Sequence, residues 1–188
     1  MTILTEIKTT EKPDRLPAVR LLFSGKDFMK HSAKWLTEAG LIAALYVALT
    51  ALSALCGLSS GLIQVRLSEL LCVLPALIPA AIPGVTVGCL LANLIFGGTV
   101  YDVIFGTLAT LIGAVGAYLL RRVPILTSLP TIVSNALVIP AVLILSGLGS
   151  WPLFPAYAGL IAAGEFVACG LIGTFLLYQL KKRTPNHK

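Results

Sequence analysis

Charge is scarce in this sequence. Of 188 residues only 12% are Asp, Glu, Lys or Arg while 57% are hydrophobic, and the mean hydropathy is +0.93. A soluble domain carries roughly 25% charged residues, so this chain lacks the polar surface to cover a water-exposed fold. Histidine is nearly missing: His31 and His187 both lie in the polar end segments, which leaves the apolar region without an imidazole for base catalysis or metal ligation. The four cysteines, Cys56, Cys72, Cys89 and Cys169, fall in apolar segments without a CxxC pair. They read as packing residues, with neither a disulfide framework nor a zinc site. No GxxxxGK[ST] sequence occurs, so any ATP energy comes from another subunit. Gly57-Leu58-Ser59-Ser60-Gly61 fits GxSxG, but a nucleophile elbow needs a strand, a helix and a histidine partner. Hydrolase chemistry is set aside, and no cofactor and no metal is expected.

What the sequence does contain is apolar length. At about 17 to 25 residues per crossing the chain has room for six spans, and the expected fold class is an all-α integral membrane protein, a six-transmembrane-helix bundle. Of the 14 Lys and Arg residues, seven precede Trp35, two are Arg121 and Arg122, and four follow Leu180. This clustering reads as positive-inside flanks and not as a nucleic-acid face. The expected organisation is a basic cytoplasmic arm over 1–34, a membrane domain over 35–180 and a basic cytoplasmic tail over 181–188. The arm has no long apolar run of the kind a cleavable signal requires. Arg20 to Lys34 reads equally as a basic interfacial helix or as a loose tail.

Helix one is expected over Trp35–Cys56. From Leu67 to Phe96 the sequence is apolar for 30 residues but carries Pro75, Pro79 and Pro83, and proline breaks a helix by removing a donor and crowding the preceding turn. One span here would place the two basic ends on opposite sides, whereas two short helices, Leu67 to about Pro79 and Gly84 to Phe96, keep them together. Helices four to six are expected over about Val103–Leu120, Leu126–Leu148 and Pro155–Leu180, with both termini cytoplasmic. Small residues spaced by four mark two close-packing faces: Ala39, Ala43, Ala44 and Ala48 on helix one, and Ala109, Gly113 and Ala117 on helix four.

With these directions, Arg66, Glu69, Asn93, Tyr101 and Asp102 fall in the outer half, and Asn135 and Glu165 lie about 14 Å into their helices, near the midplane. Ionisable groups in a span cost on the order of 2.5 to 3.5 kcal/mol, so they face a cavity or a partner. An outward-opening pocket collects them. Structural alternatives stand beside it: Arg66 neutralising Glu69 or Glu165, Asp102 capping a helix, and Asn93 and Asn135 joining helices.

Three stretches carry a family resemblance: Val65-Arg66-Leu67-Ser68-Glu69-Leu70-Leu71-Cys72-Val73-Leu74-Pro75, the run from Ile82 to Leu94, and the run from Asp102 to Leu111. Over about Trp35 to Leu180 the sequence resembles the QueT family, membrane substrate-binding components of energy-coupling-factor transporters for queuosine precursors. The resemblance implies a six-helix component that captures a 7-deazaguanine (7-aminomethyl-7-deazaguanine, 7-cyano-7-deazaguanine or queuine) and topples in the membrane. Its implied partners are a transmembrane coupling subunit and two cytoplasmic ATPase subunits. It also points to the alanine face of helix one as the coupling surface. A guanine-like edge offers adjacent N–H donors to one carboxylate. Glu165 or Glu69 suits that role, Asn93 and Asn135 the carbonyl edge, and Tyr101, Trp151, Phe154 or Tyr157 a stacking role. Arg66, Glu69, Asp102 and Glu165 together carry a net −2, which favours a cationic aminomethyl group. The reading from another class is a stand-alone proton-coupled permease, with Glu165 or Asp102 carrying the proton.

Overall fold

The computed structural model of the chain describes residues 33–58, 66–96 and 98–183. The expected N-terminal arm up to Ser32, Ser59 in the loop after helix one and the last five residues of the expected tail lie outside them. Among the described residues there is no strand. The elements are α1 (Ala33–Leu55), a 3₁₀ segment (Leu67–Ala76), α2 (Ala81–Ile95), a π turn (Asp102–Gly106) leading into α3 (Thr107–Leu119), a 3₁₀ turn (Pro124–Leu126) before α4 (Leu129–Leu145), and a last helical rod. The rod starts with a 3₁₀ turn (Trp151–Leu153) and runs through α5 (Phe154–Glu165), a π stretch (Phe166–Gly173) and α6 (Thr174–Arg183).

The exterior is apolar, and the interior holds buried polar side chains among its apolar ones. Leu36, Leu55, Val100, Leu148 and Phe175 are exposed, whereas Ser68, Glu69, Thr110, Asn135 and Glu165 are buried. In water so many exposed leucines would be unfavourable; in lipid, side chains with hydrogen-bonding capacity turn inward and leucine faces the solvent. Four helices are long and apolar enough to cross a bilayer: Ala33–Leu55, Asp102–Leu119, Pro124–Leu145 and Trp151–Arg183. The proline-rich run forms the two shorter helices Leu67–Ala76 and Ala81–Ile95. A 3₁₀ helix rises about 2.0 Å per residue, so the 10-residue segment reaches about 20 Å, against about 15 Å had it been α-helical. The 15 residues of α2 reach about 22 Å. Each falls short of the roughly 30 Å hydrocarbon core. Pro75 lies inside the 3₁₀ segment, where the tighter turn spares it the α-helical clash.

Neighbour contacts fix the directions. A side-chain carbon added to Gly84 would meet Ala39 and Ile42, and one added to Gly88 would meet Ala43 and Tyr46, so α1 and α2 run parallel at close range. The 3₁₀ segment runs against α1, because Tyr46, Thr50 and Ser53 bond in that order to Glu69, Ser68 and the Leu67 amide. Gly113 packs on Thr131 and Gly116 on Pro130, while the Ser134 hydroxyl donates to the Ala109 carbonyl, so α3 and α4 are antiparallel. The small residues at Ala109, Gly113 and Ala117 are buried in line with their expected packing role. Direction therefore alternates through the helical segments, and the start of α1, the end of α3 and the end of α6 share one end of the bundle. Lys34, Arg121, Arg122, Lys181, Lys182 and Arg183 gather there.

The opposite end is closed by backbone geometry. α1 ends with Gly57 at φ 70° and α4 with Gly147 at φ 77°, a left-handed conformation that glycine adopts without steric cost. At both ends two amides fold back: Gly57 to Ala54 and Leu58 to Ser53, Gly147 to Ile144 and Leu148 to Leu143. These are Schellman caps, which satisfy carbonyls the helix leaves open. At the end of α2, the Gly98 amide donates to the Asn93 carbonyl across the same five-residue span.

Candidate functional site

A cavity within the bundle is lined by Arg66, Glu69, Gly106, Thr110, Asn135, Ile139, Ile161 and Glu165. It thus draws on the 3₁₀ segment, the π turn, α3, α4 and α5. Its empty space totals about 320 Å³ including the part open to the surroundings, and the enclosed part has room for about one water molecule.

One π segment contributes a residue to the lining and the other begins directly after one. Gly106 closes the π turn before α3, and Glu165 immediately precedes the π stretch of the last rod. A π turn widens the helix and re-aims the side chains beside it, which is why such turns gather at functional sites.

The hydrogen bonds divide the lining residues. Glu69 is 1% exposed; its Oε1 accepts the Tyr46 hydroxyl at 2.5 Å and its Oε2 the Cys72 thiol at 3.1 Å. The Thr110 hydroxyl donates to the Gly106 carbonyl at 3.1 Å and approaches Cys89 Sγ at 3.2 Å. Glu165 is 6% exposed and Asn135 3%. Asn135 Nδ2 donates to Glu165 Oε1 at 2.8 Å, but Glu165 Oε2 and Asn135 Oδ1 are buried without a hydrogen-bond partner. An unpaired buried acceptor costs about 1–3 kcal/mol, more when charged. Two such acceptors sit on bonded neighbours that both line the cavity. Arg66 faces Glu69 and Glu165 across the cavity wall without a direct ion pair: among the described residues, no carboxylate oxygen lies within 4.0 Å of its guanidinium, and the ion pair present is the surface pair Lys34–Glu38.

Of the residues singled out in the sequence, Arg66, Glu69, Asn135 and Glu165 meet at this cavity. Asn93, Tyr101, Asp102, Trp151 and Tyr157 are not among its lining residues. Asn93 Nδ2 donates to the Asp102 carbonyl at 3.1 Å, joining α2 to the π turn. The Asp102 carboxylate accepts the Thr99 amide at 2.9 Å and the Thr99 hydroxyl at 2.7 Å, the capping alternative considered for it. Thr99 in turn reaches the Ser146 hydroxyl at 3.0 Å, tying this loop to the end of α4. Tyr101 stacks on Phe105 and Trp151 on Phe154, both exposed. Tyr157 packs beside Gly149.

The alanines of α1 divide as well: Ala39 and Ala43 are buried against α2, while Ala44 and Ala48 are exposed. Gly106, Thr110, Ile139 and Ile161 line the cavity without having been singled out. Thr110 follows one helical turn after Gly106, a spacing that marks one face, but nothing in the sequence distinguishes that face from any other.

An apolar-surfaced helical bundle with a polar, partly unsatisfied cavity and no ATP motif fits a membrane component that binds a small solute. Comparison with known proteins gives this reading its frame. No curated protein and no solved structure matches the chain, but a family model described as QueT transporter matches residues 36–182. That match covers nearly the whole bundle and includes every residue of the cavity, and on this ground the chain belongs to the QueT transporter family.

Proposed function

We propose that this membrane protein is the substrate-capture subunit of an energy-coupling-factor importer, binding a 7-deazaguanine precursor of queuosine in the cavity lined by Glu165, Asn135, Glu69 and Arg66. The observation that carries this reading is the unpartnered Glu165 Oε2 beside Asn135 Oδ1, a buried demand for N–H donors that a guanine-type base meets. Family membership supplies the transport context. Because the enclosed space holds about one water, loading the cavity with a bicyclic base includes parting the helices around it.

In this reading six helices lie in the bilayer, the two short ones included, and the basic end of the bundle faces the cytoplasm, as positive residues favour that side. Energy comes from two ATPase subunits through a transmembrane coupling subunit, against which the bundle topples. The exposed side of α1 with Ala44 and Ala48 is the docking face, since small residues let helices approach closely where lipid supplies no hydrophobic drive.

Reconstitution is the test. The purified chain is expected to bind 7-aminomethyl-7-deazaguanine by itself, and vesicles are expected to accumulate it only when the coupling subunit, both ATPases and ATP are present. Ala44→Trp or Ala48→Trp is expected to abolish accumulation and complex formation while binding persists. Accumulation by the chain alone under a proton gradient would replace this proposal with the permease.

A further inference from the structure

The cavity offers an unusually definite set of unspent hydrogen-bonding groups. Asn135 Nδ2 donates to Glu165 Oε1 at 2.8 Å, which leaves the Asn135 carbonyl oxygen outside that bond. That oxygen and Glu165 Oε2 are the two unpartnered acceptors. The other lining side chains are accounted for. Both oxygens of Glu69 are taken by Tyr46 and Cys72, the Thr110 hydroxyl is taken by the Gly106 carbonyl, and Ile139 and Ile161 have nothing to offer but apolar surface. Arg66 is left as the lining cation, with no carboxylate within 4.0 Å among the described residues.

We infer that the cavity reads the lactam edge of its ligand, with two adjacent N–H groups going to Asn135 Oδ1 and Glu165 Oε2 and the neighbouring carbonyl oxygen going to the Arg66 guanidinium. This inference rests on the functional reading above and specifies which part of the base that site recognises. A 2-amino lactam presents the required order along one edge: carbonyl acceptor, ring N–H, amino N–H. The alternatives each leave a mismatch. A lactam without the 2-amino group leaves one acceptor unpaired, and a 2-oxo lactam sets an acceptor against an acceptor. An aminomethyl ammonium has donors for Glu165 and Asn135 but nothing for Arg66 to donate to, and places one cation beside another. Sites built to bond a particular N–H or O–H discriminate strongly against analogues lacking it, because their own buried groups are then left unpaired. With the unpartnered groups spent on this edge, the polar side chains left to meet a substituent at position 7 are Glu69 and Thr110, which are already bonded within the protein. The cavity selects the edge and tolerates the substituent.

Competition binding on the purified full-length chain, with labelled 7-aminomethyl-7-deazaguanine as the probe, tests this without any variant whose folding could fail. Unsubstituted 7-deazaguanine is expected to compete within about fivefold of the probe. Its 2-deamino counterpart, 7-deazahypoxanthine, and its 2-oxo counterpart, 7-deazaxanthine, are each expected to bind at least about thirtyfold more weakly. If 7-deazahypoxanthine competes as well as 7-deazaguanine, or if 7-deazaguanine fails where the aminomethyl compound binds, edge recognition is overturned while the functional reading stands. If the labelled probe and all the 7-deazaguanines fail to bind a folded protein, the functional reading itself falls.

Discussion

Glu69 and Glu165 are both buried carboxylates on the wall of one cavity, yet their surroundings differ in kind. Glu69 is held by donors from its own chain, Tyr46 on α1 and Cys72 one turn along the 3₁₀ segment. Glu165 has one oxygen engaged by Asn135 and the other left over. The first is part of the joint that fastens the 3₁₀ segment to α1, together with the Thr50–Ser68 bond and the bond from the Leu67 amide to Ser53. The second is a group whose hydrogen bonds are unfinished. Burial alone does not separate a structural acid from a binding one; the unfilled hydrogen-bonding capacity does.

Substitutions that treat the two acids alike should therefore have unlike effects. Glu69→Gln produces the largest. One amide oxygen must then serve the two donors, Tyr46 and Cys72, and an NH₂ group faces one of them, so folding stability falls by about 3 kcal/mol. The measurement is the thermal midpoint in detergent, and an unchanged midpoint would remove the distinction between the two acids.

Glu165→Gln comes next and acts on affinity. A glutamine oxygen still accepts the Asn135 amide, but its NH₂ then meets the donors of the ligand. Affinity for 7-aminomethyl-7-deazaguanine drops by about 2 kcal/mol, or about thirtyfold, while the thermal midpoint stays close to that of the parent. Calorimetry and melting on the same preparation decide it.

Tyr46→Phe sharpens the same contrast from the other side of the joint. It deletes one donor to Glu69 and costs about 1 kcal/mol of stability, with a smaller change in affinity than Glu165→Gln. Smallest of all are Tyr101→Ala and Trp151→Ala. Both rings are exposed and stack on their own neighbours, so binding stays within about twofold of the parent in the same calorimetric assay. A tenfold loss at either would extend the site to the rim.

Much of the fold is legible in the sequence because hydropathy and charge report position along the membrane normal. The apolar runs, the proline interruption at Pro75 to Pro83 and the basic flanks delimit the helical segments to within a few residues of those observed. Depth also brings Arg66, Glu69, Asn135 and Glu165 to compatible levels. What depth does not report is direction around a helix. Asp102 and Asn93 are expected in the same outer half as Arg66 and Glu69, but they spend their polar atoms on the loop and turn that join α2 to α3. Ala39 and Ala44 look like parts of one small-residue face, yet five residues at about 100° each set them some 140° apart, so one pair packs inside and the other faces out. The 3₁₀ and π stretches compound the difficulty, because each departs from the 3.6-residue period on which any face assignment depends. Gly106 and Thr110 could not be assigned to the cavity for this reason.

The turned-back helix ends carry a consequence of their own. A helix that stops in water leaves its last carbonyls to the solvent and is thereby tethered to it, since dragging open carbonyls into hydrocarbon costs several kcal/mol for each one. α1 and α4 depend less on water in this way at their glycine-capped ends, where amides from Gly57, Leu58, Gly147 and Leu148 occupy two carbonyls of each helix internally, and the Gly98 amide adds the same kind of bond at the end of α2. The end of the bundle away from the basic residues is therefore partly desolvated in advance. A reorientation that tips that end toward the hydrocarbon meets a barrier lowered by every carbonyl already occupied, whereas the end bearing Arg121, Arg122 and Lys181–Arg183 stays anchored by charge.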